Sequence, residues 1–381
     1  MNFFGTIFSY IRETYVDRLS YFPSNIKISL MIILFCAIAI VELYIYIIFR
    51  RVIKANQNKQ TKYWKERIGN MLASVVVYDE SENTAEIAVH FYDKLKKLPL
   101  KNSTVNQILT SEIITYHKNF TGKIPEVLAL LYAKLKLDKR SKKKIDSKHW
   151  ETKIEGIREA NEMGISEMAE EIIKYTDDEN GLLRMEAQAA YLKLSNKDPF
   201  HFLDRAQERI LDWHQLVLFE IITKNKKLTI PSFSKWLRSP NDTVVMFCLK
   251  LIDHFMQFDA AEEVQRLLKH HNTRIVKKSI EIIGKLELEE LEKHMFEIYF
   301  DHTDEIKLEI LNSLGKISSG KYADFLSSRI HSNDSKIKRA ALYAIKRDAD
   351  HGEARLLEIY HHTSPENQAL ITHVLDNRIK Q

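Results

Sequence analysis

The sequence contains side chains that can ligate metal or move protons, but few of them share a spacing that chemistry requires. The doublets His270-His271 and His361-His362 offer imidazole nitrogens of the kind zinc and copper take. Both fall at the ends of expected helices, where positive charge is favoured by the helix dipole, so capping is the expected role and no metal is expected. Cys36 and Cys248 lie far apart without metal-ligand spacing, which gives neither a zinc site nor a disulfide framework. A Gly-rich phosphate loop, a Ser nucleophile elbow and an HExxH pair are all missing from the 381 residues. The sequence therefore points away from an enzyme, with no catalytic residue, cofactor or metal expected.

Three other groups suit binding rather than reaction. Glu42 is one carboxylate inside a long apolar run, a position where ionisable residues are functional by default, although solvation near the interface is the plainer reading. The run Lys134, Lys136, Lys139, Arg140, Lys142, Lys143, Lys144 and Lys148 is the densest basic cluster. It is either a solvated loop or a contact with anionic lipid, with Lys139, Arg140, Lys142, Lys143 and Lys144 as the membrane-surface candidates. Leu216, Phe219, Met246 and Phe247 are apolar at positions expected to face solvent, where later repeats carry Lys277, Lys278, Glu309 and Arg339. They are the partner-binding candidates, unless neighbouring helices bury them.

The elements that position these groups are helical. Gly (10) and Pro (7) are too scarce to supply the turns of an all-β chain of this length. From Ile28 to Phe49 the chain is apolar apart from Glu42, and at about 1.5 Å per residue this run covers roughly 33 Å, enough for a bilayer core of about 30 Å. Arg50 and Arg51 follow directly, where a signal peptide would carry a small-residue cleavage site. Cations are denser on the C-terminal flank (Arg50, Arg51, Lys54, Lys59, Lys62, Lys65, Arg67) than on the N-terminal one (Arg12, Arg18, Lys27), which predicts a C-terminal body in the cytoplasm and an external N-terminus. Phe3, Phe4, Phe8, Tyr10, Tyr15, Tyr21 and Phe22 suit an interfacial helix in the tail.

The chain is thus divided into a tail at 1–26, a transmembrane helix at 27–51, a basic irregular helical region at 52–147 and a repeat array at 148–381. Lys and Arg minus Asp and Glu gives +1 for residues 1–50, +10 for 51–150 and −6 for 151–381. An acidic array is poorly suited to gripping nucleic-acid phosphates, so no nucleic acid is expected as a partner.

Self-similarity sets the architecture of the array. Phe202, Phe233, Val264, Met295, Leu326 and Leu357 recur at a 31-residue interval, as do Ala187, Leu218, Leu249, Ile280, Leu311 and Leu342. Two helices per repeat, A and B, account for both series without a gap. Ile275–Leu286 and Ile306–Ile317 both place apolar residues at positions 1, 6, 9 and 12, with position 5 filled by Ser279 in the first and Ile310 in the second, one stripe of a 3.6-residue helix. Ser239-Pro240-Asn241-Asp242, His302-Thr303-Asp304 and Ser332-Asn333-Asp334 supply caps before B helices, and Pro231 and Pro365 suit first helical turns. Four helices are expected ahead of the array, at Lys62–Tyr78, Thr84–Lys97, Ser103–Lys118 and Ile124–Leu137, and a capping helix at about Glu366–Asn377 after it.

With Leu183, Arg184, Ala187, Ala190 and Leu194, and the later B helices, the array resembles HEAT repeats, although Met246 departs from the basic position that Arg184 and Lys307 fit. The resemblance implies an all-α fold, a right-handed α-solenoid of helical hairpins behind one N-terminal transmembrane helix. The layout is also similar to bacterial membrane-anchored HEAT-repeat proteins that accompany exopolysaccharide-type glycosyltransferases, through Phe120-Thr121-Gly122, Leu128–Leu137, Trp150–Met163 and Ile230–Leu237. That similarity implies an inner-membrane scaffold with protein partners, a membrane glycosyltransferase first among them, and with membrane lipid. The rivals are a HEAT-like DNA-binding protein or glycosylase stacking through Trp150, Trp213 and Trp236, and a transmembrane signal transmitter.

Overall fold

A computed structural model of the chain describes residues 23–76, 83–226, 228–348, 350–376 and 378, so the expected interfacial helix of the tail lies almost wholly outside the described residues. Every regular element among the described residues is helical, and the chain divides into two compact units, residues 1–137 and 138–381.

The first unit begins with α1 (Ser24–Val76), one helix of 53 residues. The sequence predicts two elements here, an apolar span ending at residue 51 and a helix from Lys62. The structure joins them, because no Gly or Pro occurs between Pro23 and Gly69 to break the backbone ladder. By length and composition the first part of α1 can cross a membrane. Its last part packs on α3, with Ile68, Leu72 and Val75 buried. The helices α2 (Thr84–Leu95), α3 (Ser103–Asn119) and α4 (Ile124–Lys134) complete the unit close to the predicted positions. Asn83 and Asn102 cap α2 and α3 by accepting from Ala85 N and Thr104 N, at 3.0 and 2.9 Å.

The second unit opens with the basic helix α5 (Leu137–Ile145) and with α6 (Trp150–Glu162). Short and long elements then alternate. α7 (Ala169–Ile172) precedes α8 (Gly181–Leu194), and α9 (Phe202–Arg205) precedes α10 (Asp212–Lys224). A 3-10 turn at Ser234–Arg238 precedes α11 (Asp242–Phe255), and α12 (Ala261–Leu267) precedes α13 (Thr273–Lys285). α14 (Glu292–Ile298) precedes α15 (Asp304–Ile317), α16 (Ala323–Arg329) precedes α17 (Ser335–Lys346), and α18 (Gly352–His361) precedes the terminal α19 (Pro365–Leu375). The A positions are therefore shorter than the sequence suggests, and several are partly 3-10.

Long helices stack on one another: α6 on α8, α8 on α10, α11 on α13, α13 on α15, α15 on α17 and α17 on α19. Small residues at the repeat spacing set how close they come. A Cβ added at Gly284 would lie 2.7 Å from Ser313 Cα, and one added at Gly315 would lie 2.5 Å from Ala344 Cα. Both glycines thus let neighbouring backbones meet. The B helices α11, α13 and α15 end at Met256, Glu287 and Ser318, which follow the 31-residue interval and all lie in the left-handed region, with φ of 51°, 52° and 55°. None is glycine, so the usual sequence signal of a C-terminus is missing.

All six residues of the B series are buried, and so are Phe202, Phe233, Val264, Met295 and Leu326 of the A series. Leu357 is exposed and Leu356 is buried in its place. The reason lies in the helix starts. The N-cap residues are Asn180, Leu211, Asn241, Asn272, Thr303, Asp334 and Ser364, so successive starts differ by 31, 30, 31, 31, 31 and 30. The gap-free period is corrected to one with two steps of 30. Asn241 and Asp334 cap as predicted; Thr303 sits at the N-cap without a side-chain bond. Pro365 lies in the first turn of α19, whereas Pro231 lies in an irregular connection, its carbonyl held by Gln257 Nε2 at 2.7 Å.

Substituting Gly315→Ala forces α15 and α17 apart and should lower stability by about 1–3 kcal/mol, the usual cost of overpacking. Gly69→Ala, whose Cβ would meet only Glu112 Oε2 at 3.8 Å, should cost nothing. Thermal unfolding of the two variants, followed by circular dichroism, makes the comparison.

Candidate functional site

The step of 30 between Leu211 and Asn241 has a local consequence. The A element ahead of α10, α9, has only four residues, and the step turns α10 by one residue, about 100°, against the 31-residue register. Val217 then corresponds to Phe247 and Leu216 to Met246. On α11 Met246 is half-buried and Phe247 buried; on α10 both positions are open. Leu216 is 66% exposed, Trp213 51% and Val217 38%, with Leu211 and Leu182 of α8 also exposed. Trp213, Leu216 and Val217 are three and four residues apart and so share one helix face.

Of the four expected partner-binding residues, only Leu216 is fully on that face. Phe219 is half-buried, its ring edge-on to His254 at 5.0 Å, and Met246 is half-buried against the core. Phe247 is corrected outright: it is 0% exposed, packed on the side of α11 that faces the hydrophobic core of the second unit. Trp213, Val217, Leu211 and Leu182 are on the face without being legible from hydrophobic spacing.

Beneath the exposed face lies a polar layer. α10 and α11 approach less closely than the other stacked long helices and are bridged by side chains. Gln215 Nε2 donates to Ile210 O at 2.9 Å and to Thr243 O at 3.4 Å, and Lys250 Nζ donates to Gln215 Oε1 at 2.9 Å. Asn241 Nδ2 donates to the carbonyls of Ala206, Gln207 and Glu208, which fixes the loop that leads into α10. His214 is buried on the same helix. Burial, with the nearby Arg184 charge adding to it, pushes its pKa down to about 4.

The basic candidates are partly absorbed by the second unit. α6 comes against α5 at Gly156, where an added Cβ would meet Ser141 O and Ile145 N at 2.7 Å. Lys144 then pairs with Glu159 at 2.6 Å and Lys142 with Glu171 at 2.9 Å. Hydrogen bonds from Lys174 and Lys142 hold the Glu171 carboxyl down at about 2. Lys139, Arg140 and Lys143 are exposed. Glu42 is exposed on α1.

The histidines are better placed than their spacing suggests. Asp242 reaches His270 Nε2 at 3.7 Å and His271 Nε2 at 3.4 Å, and these are the atoms a metal would need. His270 Nδ1, however, accepts Asn272 N–H at 3.1 Å, which puts the imidazole proton on Nε2 facing Asp242. Asp242 also accepts from Asn272 Nδ2 at 2.7 Å. The group thereby ties the start of α11 to the start of α13. A second group, Asp198, His201 and Asp204, is on the surface; Asp204 accepts from Trp236 Nε1 at 2.7 Å and faces Lys235 Nζ at 3.6 Å. Trp236 is buried, so it is not open to stack on a base, while Trp150 and Trp213 are exposed.

No protein-family model matches the sequence, and no curated protein matches it. Among solved structures, the chain is similar to an engineered protein at 14% identity, over 82% of this chain and 98% of that one, with a TM-score of 0.33. A second engineered protein is 13% identical over 63% and 95%, with a TM-score of 0.26. Human deoxyhypusine hydroxylase in complex with glycerol is 10% identical over 76% and 98%, with a TM-score of 0.29.

Because the folded pKa of His214, about 4, lies below its ordinary 6.5, the native state binds fewer protons than the unfolded chain between those values. The stabilisation is complete above pH 6.5 and is lost as pH falls toward 4, by on the order of 1 kcal/mol per pH unit. Unfolding midpoints measured across that window should fall less steeply in His214→Leu than in the native chain.

Proposed function

We propose that the chain is a membrane-anchored, cytoplasm-facing scaffold that binds a protein partner through the exposed apolar face of α8 and α10. The observation that carries this reading is that face itself: Leu182, Leu211, Trp213, Leu216 and Val217 are open to solvent on neighbouring elements. Grouped exposed aliphatic and aromatic side chains mark partner sites more often than scattered ones do, and a tryptophan with aliphatic neighbours is the composition of an interface centre. The stacked long helices, with their 31- and 30-residue steps, support reading the second unit as a right-handed HEAT-type solenoid, an architecture that presents extended binding surfaces. The long apolar run of α1 and the cations after it support the anchor and its orientation in a bacterial inner membrane. By resemblance of layout, a membrane glycosyltransferase of envelope polysaccharide production is the partner to test first.

A second reading, a transmembrane signal transmitter, is favoured by one observation. α1 runs unbroken from its apolar part into the core of the first unit, so a displacement of one end is felt at the other. The DNA-binding rival has less support, since the array is acidic and Trp236 is buried.

The scaffold reading is tested with the double variant Trp213→Glu, Leu216→Glu, purified in mild detergent beside the native chain. Both side chains are exposed, so the melting temperature should be unchanged while the partner protein recovered with the native chain falls at least about tenfold, as for loss of interface anchors. Equal recovery would sink the proposed face.

A further inference from the structure

Between the apolar part of α1 and the first unit's core lies a stretch of helix with an unusual surface. Residues 50–60 are helical and exposed throughout, and the first fully buried residue of α1 is Ile68. From Phe49 to Ile68 the axis advances about 28 Å. Arg50, Arg51, Lys54, Lys59, Lys62 and Lys65 lie on this stretch, and no Asp or Glu occurs before Glu66. Lys65 faces Glu112 at 3.6 Å, and Arg50 lies 5.9 Å from the Tyr46 ring. Arg51, Lys54, Lys59 and Lys62 make no ion pair among the described residues.

A body meant to swing freely from its anchor would be joined by Gly, Ser or Pro. Here the helix continues without any of them and is gripped at its far end, where Ile68, Leu72 and Val75 are buried and Tyr116 Oη donates to Gly69 O at 3.2 Å. An isolated polar helix of this length would be marginal in water, but this one is nucleated from both sides. Its weakest part is Asn56–Asn58, where helix propensity is low.

We propose that residues 50–60 form a rigid spacer seated on lipid. Arg50, Arg51 and Lys54 bind the phosphates of anionic phospholipid headgroups, and the helix beyond them carries Ile68, its first buried residue, roughly 20 Å clear of the headgroup layer, itself about 6 Å deep. The inference rests on the membrane reading of α1. It adds a fixed height and a lipid class, and it explains why cations unopposed by acids continue well past the apolar run.

The test uses the full chain with Cys36→Ser and Gln107→Cys, a fluorophore on the exposed position 107, and energy transfer to headgroup-labelled lipid in nanodiscs. The discs are phosphatidylcholine with or without phosphatidylglycerol. The native spacer should give one narrow height distribution, narrower with phosphatidylglycerol. Replacing Asn56, Gln57 and Asn58 with glycine should widen it about twofold, as for a flexible joint. Arg50→Gln, Arg51→Gln and Lys54→Gln together should abolish the effect of phosphatidylglycerol. A native distribution as broad as that of the glycine variant overturns the rigid spacer, and a triple variant that still responds to phosphatidylglycerol overturns the lipid seat. Release of the native chain from discs by alkaline carbonate would instead overturn the membrane reading, and the spacer with it.

Discussion

A pair of helices the length of one repeat exposes an apolar stripe that it cannot cover alone, and the second unit depends on meeting that constraint by stacking. Its long helices bury the stripe on one another, and small residues at the same spacing let them approach. Gly284 lies against Ser313 and Gly315 against Ala344. Ser313 Oγ turns its polarity inward to Ile280 O at 2.9 Å, so the contact leaves no hydroxyl unpaired. The energetic weight lies in this repeated interface, and the short A elements serve to close it.

Where α10 meets α11 the close stacking gives way to polar bridges. The shortened step into α11, together with the brief A element α9, leaves α10 bridged to α11 by Gln215, Thr243 and Lys250. The face of α10 that carries Trp213, Leu216 and Val217 then has nothing over it among the described residues. The uncovered face and the polar bridge thus occur together on α10.

Much of this is legible in the sequence. The 31-residue recurrence locates every B helix, since a buried stripe must return at the repeat length, and the asparagine caps mark several starts. What the sequence hides has physical causes. A one-residue slip is invisible to a hydrophobic series when the helix buries two adjacent positions, as Cys248 and Leu249 both are. Hydrophobic spacing also puts Phe247 on the solvent side, whereas it is 0% exposed. The helix ends at Met256, Glu287 and Ser318 lack glycine, and the pairing of Asp242 with His270 and His271 joins residues a whole repeat apart that only stacking brings together. The continuity of α1 is readable from the absence of Gly and Pro, but the change from apolar to polar composition suggests a boundary.

The face of α10 that carries Val217 is open, while the equivalent position on α11, Phe247, is closed. Single cysteines introduced as Val217→Cys and Phe247→Cys, in a chain carrying Cys36→Ser, test it through their rates of reaction with a maleimide under native conditions. Labelling should be rapid at position 217 and should occur at 247 only on unfolding. Comparable rates at the two positions would contradict it.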